Sequence, residues 1–159
     1  LELHFAHGYL GQSFFSVHAN QRGDAYGGSA RNRSRFLLET LAAVREEWPE
    51  HLPLTARFGV IEYDGRDEET LAESIELARN FKREGLDFLN VSVGVSTLKA
   101  KVPWGPAFLA PVAARVRREA GLPVADMSFW GMGSASRYFP QYSVIHLFSI
   151  RLTFPRSHI

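Results

Sequence analysis

Short apolar runs alternating with amphipathic stretches of helical length constrain this chain more than any other feature. Leu1, Leu3 and Phe5 alternate with Glu2, His4 and Ala6 up to a break at Gly8, the period-two pattern of a strand with one buried face. From about Arg31 to Trp48 the period changes. Leu37, Leu41, Val44 and Trp48 recur at helical spacing, Arg45, Glu46 and Glu47 are expected in water, Ser29 suits an N-cap, and Pro49 ends the run. The unit then repeats. Pro53 to Phe58 alternates Leu54, Ala56 and Phe58 with Thr55 and Arg57, and a helix from about Glu68 to Glu84 buries Leu71, Ile75, Ala78 and Phe81. Asp67, Glu68 and Glu69 suit the start of that helix and Gly85 its end. Leu86 to Val93 is nearly continuous in apolar residues, as a parallel strand between a helix layer and a packed interior would be. A helix from about Phe108 to Ala120 follows, with Val112 and Val116 inward and Arg115, Arg117 and Arg118 outward, and Gly121-Leu122-Pro123-Val124 opens a fourth strand. This succession predicts an α/β fold with a parallel sheet, and excludes a sandwich or a helical bundle.

The first strand ends in His4-Phe5-Ala6-His7-Gly8-Tyr9. Residues three apart on a straight strand point to opposite faces, so His4 and His7 converge only if the strand ends between them and His7 enters the following loop. Gly8 allows that turn. Two imidazole donors could hold a carbonyl or nitro oxygen as negative charge develops there, and a phenol could deliver a proton to a neighbouring carbon. The same residues also suit a structural use: His4 hydrogen-bonded in the strand, His7 in the loop, Tyr9 half-buried. Zinc is disfavoured, because the chain has no cysteine and no evident third ligand. Arg57 is expected near the C-terminal end of the second strand, where spacing alone leaves a functional arginine and a plain salt bridge equally open. Ser92 and Gly94 end the third strand on the same presumed catalytic side. Residues 8–28 read as one long loop rich in Gly, Ser, Asn and aromatics.

Longer motifs carry a resemblance. His4-Phe5-Ala6-His7-Gly8-Tyr9, Asn20-Gln21-Arg22, Asp24, Tyr26-Gly27-Gly28-Ser29 and Asn32-Arg33 resemble the Old Yellow Enzyme family of FMN-dependent oxidoreductases, and most of all its xenobiotic reductase branch. The likeness continues through residues 52–59, Glu62-Tyr63-Asp64-Gly65-Arg66-Asp67 and 102–108, and fades after Trp130-Gly131-Met132-Gly133. It implies a (β/α)8 barrel that binds FMN and passes hydride from NADPH or NADH to an electron-poor alkene, such as an α,β-unsaturated carbonyl, or to a nitro compound. By the same resemblance His4 and His7 match the pair that holds the substrate oxygen, Tyr9 the proton donor, and Arg57 a residue beside the flavin pyrimidine edge. Trp130 matches an aromatic of the substrate pocket across a small insertion. The chain departs from the family at Gly11, Ser13, Val17, His18 and Ala19, where bulkier or different residues are usual, and at Arg31, where an acid is usual.

A complete barrel takes about 250 residues. This chain has 159, so the resemblance implies a partial (β/α)8 TIM barrel holding about strands four to seven, with the first three absent. Residues 1–126 are read as that unit and 127–159 as a divergent tail. From Met127 onward no Asp or Glu occurs while Arg137, Arg151 and Arg156 do, and the family pattern stops, as a shifted reading frame or an unrelated tail would make it. Residues 142–154 read as β-rich, and Gly131 and Gly133 are candidates for lending backbone N–H groups to the FMN phosphate. The balance of 18 basic and 17 acidic side chains offers no field for nucleic acid or a membrane surface. No apolar run reaches membrane-spanning length, no signal peptide is evident and no disulfide can form, which makes cytoplasm the expected compartment. Part of a barrel has open sheet edges, so a small-molecule substrate and self-association are the expected partners. The rival expectation is an inactive remnant of such an enzyme.

Overall fold

The computed structural model describes residues 1–126. Trp130, Gly131, Gly133 and the rest of the tail, including 142–154, lie outside the described residues. The elements follow one another as β1 (Glu2–Phe5), α1 (Leu10–Phe15), α2 (Ala30–Glu47), β2 (Thr55–Ile61), α3 (Asp67–Arg83), β3 (Phe88–Val93), α4 (Ala110–Ala120) and β4 (Val124–Asp126). All strand pairs are parallel and the sheet order is β1-β2-β3-β4. Sequential order puts every helical crossover on one side, the arrangement of a barrel wall; in a doubly wound sheet the order would reverse.

The register explains the two faces. Phe5, Phe58 and Val91 stand in one row and Leu3, Ala56, Leu89 and Val124 in another, and apart from the partly covered Leu3 these side chains are buried beneath the helices. Phe58 is fully buried, with the Phe15 and Phe81 rings set edge-on to it at 5.0 and 5.8 Å. The intervening rows carry Glu2 and Thr55, then His4, Arg57 and Asn90. The sheet thus has an apolar helix-covered face and a polar concave face.

Helix boundaries follow their caps. The Ser29 hydroxyl accepts from the Asn32 N–H at the start of α2, and acids fill the first turn of α3. Gly85 and Gly121 end α3 and α4 with φ of 87° and 65°, backbone that glycine adopts without a Cβ penalty.

Three expectations are corrected. Residues 8–28 are not one loop, because Leu10–Phe15 folds as α1 and drives Phe15 into the core. The second strand does not stop at Phe58 but runs to Ile61, so Arg57 is mid-strand and not near its end. Arg45 is not left to water: its guanidinium donates to the carbonyls of Gly85, Trp48 and Pro49 and pairs with Asp87 at 3.5 Å, tying the end of α2 to the loop before β3.

Candidate active site

The C-terminal end of β1 decides the site. After Phe5 the backbone leaves the sheet, His7 and Gly8 take φ of 61° and 72°, and the chain reverses into α1. That turn brings His7 back over the strand. The His4 and His7 rings lie 5.2 Å apart edge to face, and the Tyr9 ring lies 5.5 Å from His4. The three residues singled out in the first strand therefore form one cluster, with Tyr9 65% exposed. Arg57 is the register partner of His4 on β2.

Around this cluster the polar row is knitted together. Arg57 Nη2 meets Glu2 Oε1 at 3.1 Å, and the Asn90 amide donates to Glu2 Oε2. Arg57 Nε is buried and has no hydrogen-bond partner among the described residues. His7 Nε2 lies 2.7 Å from the hydroxyl of Ser92, which is only 4% exposed at the end of β3. Partial burial on the side facing β3, reinforced by the electrostatic influence of His4 and Arg57, holds the His7 imidazole below its ordinary pKa, so the neutral ring predominates at pH 7. An open cavity of about 560 Å³ adjoins these groups, lined among others by His7, Arg57, Ser92, Val95, Trp104 and Phe108.

Backbone strain gathers at this end of the sheet. Among the described residues the non-glycine positions with positive φ are His7, Tyr63 and Val95, in the loops after β1, β2 and β3, and Ala107 just before α4. Each such conformation costs on the order of 1–3 kcal/mol and persists where surrounding contacts over-determine it. The contacts here include a buried polar clamp. Gln12 on α1 donates to the Gly59 carbonyl at 3.2 Å and to Glu62 at 3.4 Å, and accepts from the Gly59 N–H at 3.1 Å. Glu62 also accepts from the Ser96 N–H at 2.9 Å. Gly59 and Gly94 leave the room for these two side chains, since a Cβ at either would overlap Gln12 or Glu62.

Sequence reasoning missed Gln12 and gave Glu2, Glu62 and Asn90 no role. Glu2 and Asn90 carry a faint signal, polar residues in the same alternation as His4 and Arg57. Gln12 carries none beyond being polar among Leu10, Gly11, Phe14 and Phe15. At the departures from the family pattern, a Cβ at Gly11 would overlap the Phe5 ring, and His18 pairs with the Asp64 carboxylate.

The sequence profile of the NADH:flavin oxidoreductase / NADH oxidase family matches residues 1–108, more than half of the chain. The chain belongs to that family. This is the Old Yellow Enzyme family that its motifs resemble. NADPH dehydrogenase of Geobacillus thermodenitrificans is 39% identical over 123 residues, covering 77% of this chain and 35% of the relative. NADPH dehydrogenase of Halalkalibacterium halodurans is 38% identical over 123 residues, again 77% and 35%. A solved morphinone reductase in complex with tetrahydroNAD superposes with a TM-score of 0.58 at 28% identity, covering 79% of this chain and 32% of that one. A 2-naphthoyl-CoA reductase complex gives a TM-score of 0.67 at 26% identity, covering 79% and 20%. The chain thus spans about a third of the length of the curated relatives it matches. Its parallel α/β sheet is a partial barrel of this oxidoreductase family.

The family joins FMN to NADPH or NADH, and the concave face fits a flavin. A cation whose Nε is buried and partnerless, next to an amide and two imidazoles, offers donors to a planar group rich in carbonyl oxygens. Among the described residues no helix is long and apolar enough to cross a membrane.

Proposed function

We propose that residues 1–126 carry the substrate-oxygen clamp and proton donor of an FMN-dependent reductase, driven by NADPH or NADH, that acts on activated alkenes such as α,β-unsaturated carbonyls or on nitro compounds. The observation that carries this reading is the convergence of His4, His7 and Tyr9 at the end of β1, beside Arg57. Bound FMN would supply hydride exchange between the nicotinamide and the substrate carbon. Arg57, with Asn90 beside it, would hold the flavin, and the guanidinium charge favours an electron-rich ring system. His4 and His7 would donate to the substrate oxygen, where negative charge grows as the neighbouring double bond is reduced. The Tyr9 hydroxyl would give its proton to the adjacent carbon. Trp130 as a pocket wall and Gly131 and Gly133 as phosphate donors belong to the same proposal, as does the division into a barrel unit at 1–126 and a divergent tail at 127–159.

Purified chain titrated with FMN tests the reading. Quenching of flavin fluorescence at micromolar levels, with NADPH-driven reduction of an enone, supports it. Absence of both leaves the chain as a non-catalytic part of such an enzyme. The outer edge of β1 is unpaired among the described residues, so self-association through sheet edges is part of the proposal, and a monomer in analytical ultracentrifugation contradicts that part.

A further inference from the structure

The contact between His7 and Ser92 assigns a proton. Nε2 of His7 and the Ser92 hydroxyl are 2.7 Å apart, and a neutral imidazole can either donate to the hydroxyl or accept from it. The two arrangements differ in what they leave unsatisfied. Ser92 is 4% exposed, and among the described residues its Oγ has no other hydrogen-bond partner. Were Nε2 to carry the proton, the serine hydrogen would have no protein acceptor among the described residues, and the bare Nδ1 could only accept. With the serine donating, its hydrogen is satisfied and the imidazole proton resides on Nδ1. Nδ1 itself meets no partner among the described residues, on a side chain that is otherwise exposed at the cavity mouth.

We infer that Ser92 is a positioning residue: by donating to Nε2 it locks His7 in the Nδ1–H tautomer, so that Nδ1–H is the bond His7 offers to an oxygen-bearing ligand in the cavity. The step is only a choice between two neutral forms of one ring. No proton is gained or lost. A hydroxyl hydrogen left without a protein acceptor makes the alternative less populated by on the order of tenfold. A free histidine in water favours the opposite form, with the proton on Nε2, which makes the assignment diagnostic. The left-handed backbone at His7 contributes by swinging the ring off the end of β1 toward β3, where Ser92 is the next-to-last residue of the strand. The inference rests on the proposed oxygen clamp for its functional meaning but not for its test.

Long-range proton–nitrogen correlation spectra of the imidazole side chains, recorded on the whole chain at neutral pH, read the tautomer directly. The expected result is a His7 ring predominantly protonated on Nδ1. In Ser92→Ala, whose helical circular dichroism shows whether it folds, the ring should revert toward the Nε2–H form by on the order of tenfold. Ser92→Cys, a poorer donor, should fall between. A wild-type ring protonated on Nε2 overturns the inference whether or not any variant folds, and so does an Ala variant with an unchanged tautomer. If the Nδ1–H form is found but FMN and enone produce no change in the His7 resonances, the tautomer assignment stands and the proposed function fails.

Discussion

The two faces of the sheet share every strand yet follow different rules. On the helix side Phe5, Phe58 and Val91 are closed off by α1, α2, α3 and α4, and their identities are set by volume. On the concave side Glu2, His4, Arg57 and Asn90 sit one residue away along the same backbone, partly open to solvent and engaged through charge and hydrogen bonds. A one-residue step along a strand thus separates the row that stabilises the fold from the row to which the chemistry is proposed to belong. Substitutions on one face should unfold the chain, and those on the other should abolish the proposed activity without unfolding it.

The largest effect tests the apolar side. Phe58→Ala removes a fully buried ring at the centre of an aromatic cluster and should cost about 3–5 kcal/mol in urea denaturation. A loss under about 1 kcal/mol would erase the distinction between the faces. On the polar side, His4→Ala should leave stability within about 0.5 kcal/mol while depressing enone turnover about a hundredfold. Tyr9→Phe should act in the same direction, since it removes only the exposed hydroxyl. Unchanged turnover in both variants removes the assigned roles.

The clamp at the rim sharpens the comparison, because it is polar and yet buried. Gln12 is 1% exposed and Glu62 3%. Gln12→Ala leaves the Gly59 N–H and the Glu62 carboxylate short of partners and should cost about 1–3 kcal/mol. Gly11→Ala should cost a similar 1–3 kcal/mol by forcing Phe5 aside. Thermal melts of both variants check this, and a wild-type melting point in either contradicts the packing described.

The smallest effect is a dependence on pH. Burial pushes the Asp64 carboxyl upward, but the His18 contact and the Arg66 N–H outweigh it and hold its pKa below the ordinary value. A depressed folded-state pKa contributes stability that is present above the unfolded value near 3.8 and lost as pH falls through the folded one. Acid denaturation of His18→Ala should therefore begin at higher pH than that of the parent chain. Coincident acid transitions would show that the pair contributes nothing.

Much of this was legible in the residues. Period-two and helical patterns placed the strands and α2, α3 and α4, and the turn at Gly8 was enough to expect His4 and His7 to meet. What escaped was set by contacts distant in the chain. The alternation that marks the second strand stops at Phe58, yet β2 continues through Gly59, where the Gln12 amide, 47 residues earlier in the chain, fills the space beside it and bonds both its backbone groups. Helix α1 is only six residues long and carries no side-chain cap, so nothing local announces it. Arg45 looks like a solvated helix residue until the carbonyls of the turn after α2 are seen to need a donor.

The central claim is that the concave row, and not the core, forms the cofactor and substrate surface. FMN fluorescence titration of the parent chain and of Arg57→Ala, with a thermal melt of each, tests it most directly. The account predicts micromolar quenching in the parent, at least tenfold weaker binding in the variant, and melting points that coincide within about 2 °C. Equal affinity in the two proteins, or no quenching in either, would contradict it.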